Sequence, residues 1–348
     1  MTDRISIIKQ MYLSLTDKER LDFLSYLKDS KEDNNELKSF NSIKELILKH
    51  KHTNLNDRPS CPHCRSLIVV KNGHKDGNQR YKCKDCHKIF AITNNTILFS
   101  TKKSITVWQK FCECLLNKFS LRKCASICDI NLHTAFNWRH KILDALQNMQ
   151  SEVKLNGVIQ SDETYFPLSF KGHHKHFTLP RSSRKRGYSS TVRGLSKELV
   201  CVPCTVNLNG LSVGVISNLG KPNVFNLEKA LNHKFENGSI LVTDSFKAYQ
   251  KIAFENDLTH VRIHRGKHSN GSFNIQTVNS YHCGLKRMIE HNFRGVATKY
   301  LNNYIVYNNF VNFSKSINKL DILENFVFST KCNSKGYEIV QRDPIPVL

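Results

Sequence analysis

Acidic residues are scarce in this chain. Across 348 residues there are 29 Asp and Glu against 52 Lys and Arg, a formal charge of +23. That excess is larger than solubility requires and predicts a polyanionic partner, nucleic acid above all. Long apolar runs are also lacking, and none would span a bilayer, so no membrane role is expected. The opening residues, MTDRISIIKQ, have no secretory-signal pattern. Nor do the 12 cysteines form a disulfide framework. Four make two Cys-x-x-Cys pairs and most others sit singly in apolar segments, which fits a reducing cytosol. The hydrophobic share, 39%, is enough for a globular core, and the length allows two or three domains.

The scarcity of acid is sharpest between Glu163 and Glu198, where there is none. Lys171, Lys175, Arg181, Arg184, Lys185, Arg186, Arg193 and Lys197 gather there with His173, His174 and His176, and Pro180, Gly187 and several serines make the stretch a loop. Beside a carboxylate site it would neutralise phosphates. A basic insertion without a partner is the alternative, and the histidines are a further candidate metal cluster.

Two of the few acids occupy telling positions. Gly157–Phe166, GVIQSDETYF, leads an apolar run into Asp162, and Ser239–Phe246, SILVTDSF, does the same for Asp244. Such runs read as buried strands with a carboxylate at the end. Two carboxylates so placed could hold Mg²⁺ or Mn²⁺, hard cations that favour oxygen ligands. Each Asp could equally cap the turn after its strand.

Cys61-Pro-His-Cys64 and Cys83-Lys-Asp-Cys86, 18 residues apart, have the spacing of a structural Zn²⁺ ribbon. A module this small has little core, so metal binding would supply its folding free energy. The surrounding Arg65, Lys71, Lys75, Arg80, Lys82, Lys84 and Lys88, with Tyr81 and Phe90, form either a surface that follows DNA backbone or a solvated basic face.

Residues 104–147 read as helices. Val107, Phe111, Cys114 and Leu115 form one stripe, Ser120–Cys128 a short helix with Ser120 as candidate N-cap, Asp129–Asn131 a turn, and Leu132–Leu146 a longer helix. This is a helix-turn-helix pattern. Thr134, Asn137, Arg139, His140 and Lys141 are expected on or near the exposed face of its second helix, as candidate DNA contacts.

From Gly157 the order becomes strand, hairpin (with Asn209-Gly210 at its turn), helix, strand, helix, strand, then helices. Cys201 and Cys204, three apart on a strand, point to opposite faces and read as packing thiols. A three-stranded meander followed by alternating helix and strand is the ribonuclease-H-like order. It places the first and fourth strands side by side, bringing Asp162 to Asp244. The expected fold class is multidomain α/β: N-terminal helices (1–57), a four-cysteine zinc ribbon (58–92), a helix-turn-helix region (104–148), a ribonuclease-H-like mixed-sheet catalytic domain with C-terminal helices (155–315), and a tail (316–348).

With CPHC…CKDC, SDETY, VTDSFKAY and VNSYHCGLKRMIEHNFRGVATKYLNNYIVYNNF in view, residues 58–315 resemble bacterial DDE-type insertion-sequence transposases of the zinc-ribbon group. The resemblance implies a third metal-binding position seven residues before a lysine, here Asn279 before Lys286. The implied set is Asp162, Asp244 and Asn279 with Lys286, in the variant that has Asn for the third acid. Asn279 also suits an N-cap, and His282 and Glu290 are alternative ligands. Glu163, on the opposite strand face from Asp162, ranks lower.

The resemblance further implies two Mg²⁺ or Mn²⁺ ions, one structural Zn²⁺, and cleavage and strand transfer at terminal inverted repeats of double-stranded DNA. Transposon ends and target would be the DNA partners, bound by at least a homodimer in the bacterial cytoplasm. Two alternatives stand beside it. One is an end-binding repressor without catalysis, the other a ribonuclease-H-like nuclease on another DNA substrate.

Overall fold

The computed structural model describes residues 59–346 apart from 76–77, 92, 95, 173–176, 184–191, 314–319, 321–322, 324–329, 331 and 333. The helices expected over 1–57 lie outside the described residues. So do Arg184, Lys185 and Arg186, the histidines at 173, 174 and 176, and much of the tail. The described residues belong to one compact unit, Glu45–Leu348.

The first elements are three short antiparallel strands, β1 (Val69–Lys75), β2 (Asn78–Cys83) and β3 (Ile89–Ala91). Their buried apolar set is small, comprising Cys61, Val69, Cys83 and Phe90. Three helices follow: α1 (Ile105–Leu116), α2 (Leu121–Ile127) and α3 (Leu132–Ser151). Ser120 caps α2, its side chain accepting from the Lys123 amide at 3.3 Å. The turn before α3 is made by Asp129, whose φ of 48° ends α2 in the left-handed region. Trp108 of α1 stacks on Trp138 of α3 with ring centroids 3.7 Å apart.

The main sheet is mixed. Its strands are β4 (Val158–Pro167), β5 (Leu199–Asn207), β6 (Ser212–Gly214), β7 (Asn218–Leu219), β8 (Ile240–Thr243) and β9 (Thr259–Arg262), in the spatial order β6-β5-β4-β8-β9 with β7 also on β5. The meander β4-β5-β6 is antiparallel, whereas β8 and β9 run parallel to β4. At the β5–β6 turn the Asn207 side chain accepts from the amides of Asn209 and Leu211, and Gly210 takes a φ of 85° that other residues adopt only with strain. Both Cys201 and Cys204 are fully buried in β5, as packing thiols would be.

Helix α4 (Val224–Leu231) starts at a reciprocal Asn223–Asn226 capping box, and α5 (Ala248–Glu255) connects β8 to β9. Past the end of α4, His233 turns left-handed at φ 59°. After a small ribbon, β10 (Ser269–Asn270) with β11 (Phe273–Asn274), come α6 (Gln276–Arg287), a wide turn at Met288–Asn292, α7 (Leu301–Asn312) and α8 (Gly336–Val340).

Residues from α1–α3, the sheet, α6, α7 and α8 share one hydrophobic core. Polar side chains cross the seam between the helices and the sheet region. Asn303 of α7 donates to Asp144 of α3 at 2.8 Å, and Asn309 to Gln150 at 2.6 Å. From the C-terminal segment, Arg342 grips both Asp144 oxygens at 2.6 and 2.7 Å. Helices α1–α3 are thus built into the core and are not a separate bead.

Candidate active site

Strand β4 has a neighbour on each side, and the pairing on its parallel side sets the site. Ser161 pairs with Thr243, the last residue of β8. The next residues along are Asp162 and Asp244, so two adjacent parallel strands deliver one carboxylate each at the same level. Asp162 stays in the strand, opposite Cys204 of β5. Asp244 leaves it, and its Oδ1 accepts from the Phe246 amide at 2.8 Å. This oxygen also fills the capping role open to it on sequence grounds, and leaves Oδ2 for another partner.

Burial and the neighbouring Asp244 push the Asp162 carboxyl up to about 6, against the lowering effects of a backbone amide and of Lys286. Two carboxylates that disfavour each other's charge are a fitting seat for a divalent cation, which would relieve both.

Helix α6 covers this end of the sheet. It is pinned by the Val278 amide, which donates to Gln160 Oε1 at 3.1 Å, and by the Tyr281 hydroxyl, which donates to Asn309 at 2.5 Å. Asn279, His282 and Lys286 follow at helical spacing along one side of α6. The His282 Nδ1 is 3.9 Å from Asp162 Oδ2. Burial and Lys286 hold the His282 ring down to about 4, opposed by the Asp162 main-chain carbonyl, so it is neutral.

Asn279 is exposed and stands inside the first turn, its amide donating to the Ile275 carbonyl at 3.2 Å. The capping role considered for it therefore fails, because α6 begins three residues earlier, at Gln276. Glu290 is exposed in the turn Met288–Asn292.

Glu163 points away from Asp162, as strand alternation requires. There it accepts a hydrogen bond from Tyr249 at 2.6 Å, while burial pushes its carboxyl up to about 7. The sequence reading passed over Tyr249. Its place in α5, five residues after Asp244, was the available signal.

The four ribbon cysteines converge. Cys61 and Cys86 sulfurs lie 3.5 Å apart, as do Cys64 and Cys83, and all four lie within 4.8 Å of one another. At about 2.3 Å from a tetrahedral Zn²⁺, sulfurs stand close to 4 Å apart, so this donor set fits the ion with little movement. Among the described residues no other such gathering of three or more ligand side chains occurs.

The candidate DNA contacts on α3 divide. Arg139 and His140, expected at or near the surface, are 2% and 1% exposed. The Arg139 guanidinium donates to the Phe119 carbonyl at 2.6 Å, and His140 lies against Phe136 and Tyr300. Helix periodicity places these residues opposite the Trp138 face, but that side is covered by α7 and the 3-10 turn Thr298–Tyr300. Thr134, Asn137 and Lys141 are half-buried, and Gly336 of α8 abuts Asn137 so closely that an added Cβ would lie 3.1 Å from its amide.

Exposed side chains at the start of α3 and on α2 include Asn131, Leu132, His133, Arg122 and Lys123. Of the basic loop, Lys171 donates to the carbonyls of Arg294 and Gly295, and Arg181 to that of Leu168, so both anchor the loop's base.

Residues 154–310 match the family model of the ISXO2-like transposase domain. Comparison with curated proteins gave no match. Among solved structures, one described as a pre-cleavage Mos1 transpososome aligns over 62% of this chain and 76% of that chain, at 8% identity and a TM-score of 0.24. That likeness is too slight to bear on the site.

Proposed function

We propose, from the match of residues 154–310 to the ISXO2-like transposase domain, that the protein cleaves DNA at the ends of an insertion element and joins those ends to target DNA. The observation that carries this reading is the parallel pairing of β4 with β8, which sets Asp162 beside Asp244 within the matched region. We take that region as the catalytic part (155–315) of a ribonuclease-H-like fold, preceded by a zinc ribbon (58–92) and a helix-turn-helix (104–148). The sheet order and the mixed strand directions support it.

Asp162, Asp244 and Asn279 would hold two Mg²⁺ or Mn²⁺ ions. Held there, they would supply Lewis acidity to a hydroxyl nucleophile and to the leaving oxygen. The chain's own groups do the rest. Asp162 and Asp244 bind an ion only as carboxylates, so protons compete with the metal for Asp162, whose carboxyl burial pushes up. Lys286, close enough to lower both Asp162 and His282, would pair with a phosphate oxygen near the scissile bond. His133 and Asn131 at the start of α3 would face base edges, with Arg122 and Lys123 on phosphates, since helix-turn-helix proteins read DNA from the first turn of the second helix. Two ends held together call for at least a dimer on DNA.

The test uses labelled linear DNA carrying the element end, incubated with wild type, Asp244→Ala and Asn279→Ala in Mg²⁺ and in Mn²⁺. A nick at the element boundary that is lost in Asp244→Ala supports the transposase reading. A second reading, an end-binding repressor, is favoured by the neutral, exposed Asn279. It requires tight end binding and no nick with either ion.

A further inference from the structure

One buried side chain next to the carboxylates has no part in this mechanism. His282 is 8% exposed and sits on α6 between Asn279 and Lys286. Its Nδ1 lies 3.9 Å from Asp162 Oδ2, beyond hydrogen-bonding distance. Its Nε2 is buried without a hydrogen-bond partner among the described residues. Buried polar atoms are seldom left so, and an unmatched one calls for an explanation.

The ring's neighbours on its own helix, Val278, Tyr281 and Leu285, form an apolar bed, and the Tyr281 hydroxyl is engaged with Asn309. No hydrogen bond from the described residues thus reaches Nε2 to fix the ring. Its other nitrogen, Nδ1, faces Asp162, whose side chain and main-chain carbonyl both lie near it.

Two ligand atoms on a small octahedral ion lie about 3 Å apart. The 3.9 Å between His282 Nδ1 and Asp162 Oδ2 closes to that with less than one ångström of movement. Asp162, Asp244 and His282 are not all gathered within 4.8 Å. Where three carboxylates would make an all-oxygen site, this chain has two, an exposed amide at Asn279 and a buried imidazole one turn on.

We propose that His282 is a nitrogen ligand of the divalent ion that Asp162 shares with α6, and that this position therefore favours Mn²⁺ or a similar first-row ion over Mg²⁺. The proposal rests on reading Asp162 and Asp244 as the metal-binding pair.

The experiment is a Mn²⁺ titration of full-length, zinc-loaded protein, with free Mn²⁺ counted by electron paramagnetic resonance and the bound ion examined by pulsed measurement for ¹⁴N coupling. Wild type, His282→Gln, Asn279→Ala and Asp162→Asn are compared, with zinc content and circular dichroism as checks of folding. Wild type and Asn279→Ala should show imidazole nitrogen coupling. His282→Gln should lose it and bind Mn²⁺ about tenfold more weakly, while Mg²⁺ competition shifts less than about threefold. Labelling histidine with ¹⁵N in the wild type reads the same coupling without a substitution, should His282→Gln misfold.

Coupling retained in His282→Gln, or Mn²⁺ bound to wild type without nitrogen coupling, overturns the proposal and spares the carboxylate pair. If nothing binds wild type, or Asp162→Asn binds Mn²⁺ unchanged, the carboxylate reading falls as well.

Discussion

The Tyr249 hydroxyl donates to Glu163 Oε1 across 2.6 Å, tying the strand that carries Asp162 to the helix that follows Asp244. Tyr249 is buried and Glu163 half-buried, and the bond adds to the β4–β8 ladder that already joins these two segments. It fixes the backbone of one carboxylate against that of the other, from the far side of the sheet.

Tyr249→Phe leaves Glu163 without that donor. The expected loss is about 1–3 kcal/mol in urea unfolding, with a larger fractional fall in end cleavage than in end binding. Glu163→Gln keeps an acceptor for the hydroxyl and should unfold close to wild type. Equal losses in the two variants would mean that the bond is incidental.

Stability of the protein without added divalent metal should decline with pH. The carboxyls of Asp162 and Glu163 sit near 6 and 7 when folded, above the ordinary carboxylate range near 4. Between those values the folded chain holds more protons than the unfolded one, so their contribution is full below about pH 4 and is lost as pH rises through 6 to 7. Asp162→Asn should flatten that decline and gain about 1–3 kcal/mol at pH 7.5. Added Mn²⁺ should offset Asp162's share of the decline in wild type and leave the variant unchanged. Urea midpoints at pH 4.5, 6 and 7.5 would check it.

Removal of zinc should unfold the ribbon alone. Its buried core is four residues, two of them cysteines, whereas α1–α3 and the sheet share a core of their own. Cys83→Ser, or mild chelation, should release one Zn²⁺ per chain by colorimetric assay. New protease cuts should then fall within 59–91 and not in 105–312.

Surface and core positions of α2 and α3 should separate cleanly. His133→Ala and Arg122→Ala should leave the melting temperature within about one degree and weaken DNA binding, Arg122→Ala also lowering the salt dependence by about one ion. Arg139→Ala strips the hydrogen bond from the buried Phe119 carbonyl and should instead cost about 2–4 kcal/mol in stability. Melting curves and salt-dependent binding isotherms of the three variants would check this.

Much of the fold was legible because its signals are local. Apolar runs ending in Asp, the turn at Asn209-Gly210, the cap at Ser120 and the Cys-x-x-Cys spacing each depend on a few neighbouring residues. Element ends were less legible, and the start of α6 was misplaced. Ile275, at the N-cap position, has no capping side chain, and it is the bond from Val278 to Gln160, 118 positions away in sequence, that holds that turn to β4.

By itself the sequence determined the strong positive charge, the paired thiols and the two strand-end carboxylates, because composition and short-range period need no partner to be read. Only the tertiary structure decided which faces stay open. Helix periodicity shows that α3 has an apolar stripe, but not that α7 and the Arg342 segment cover two more of its sides and bury Arg139 and His140. It likewise sets Asn279 and His282 one turn apart, but not which of them meets Asp162. Burial is a property of what packs against a residue from elsewhere in the chain, and those contacts form at sequence separations that no local pattern records.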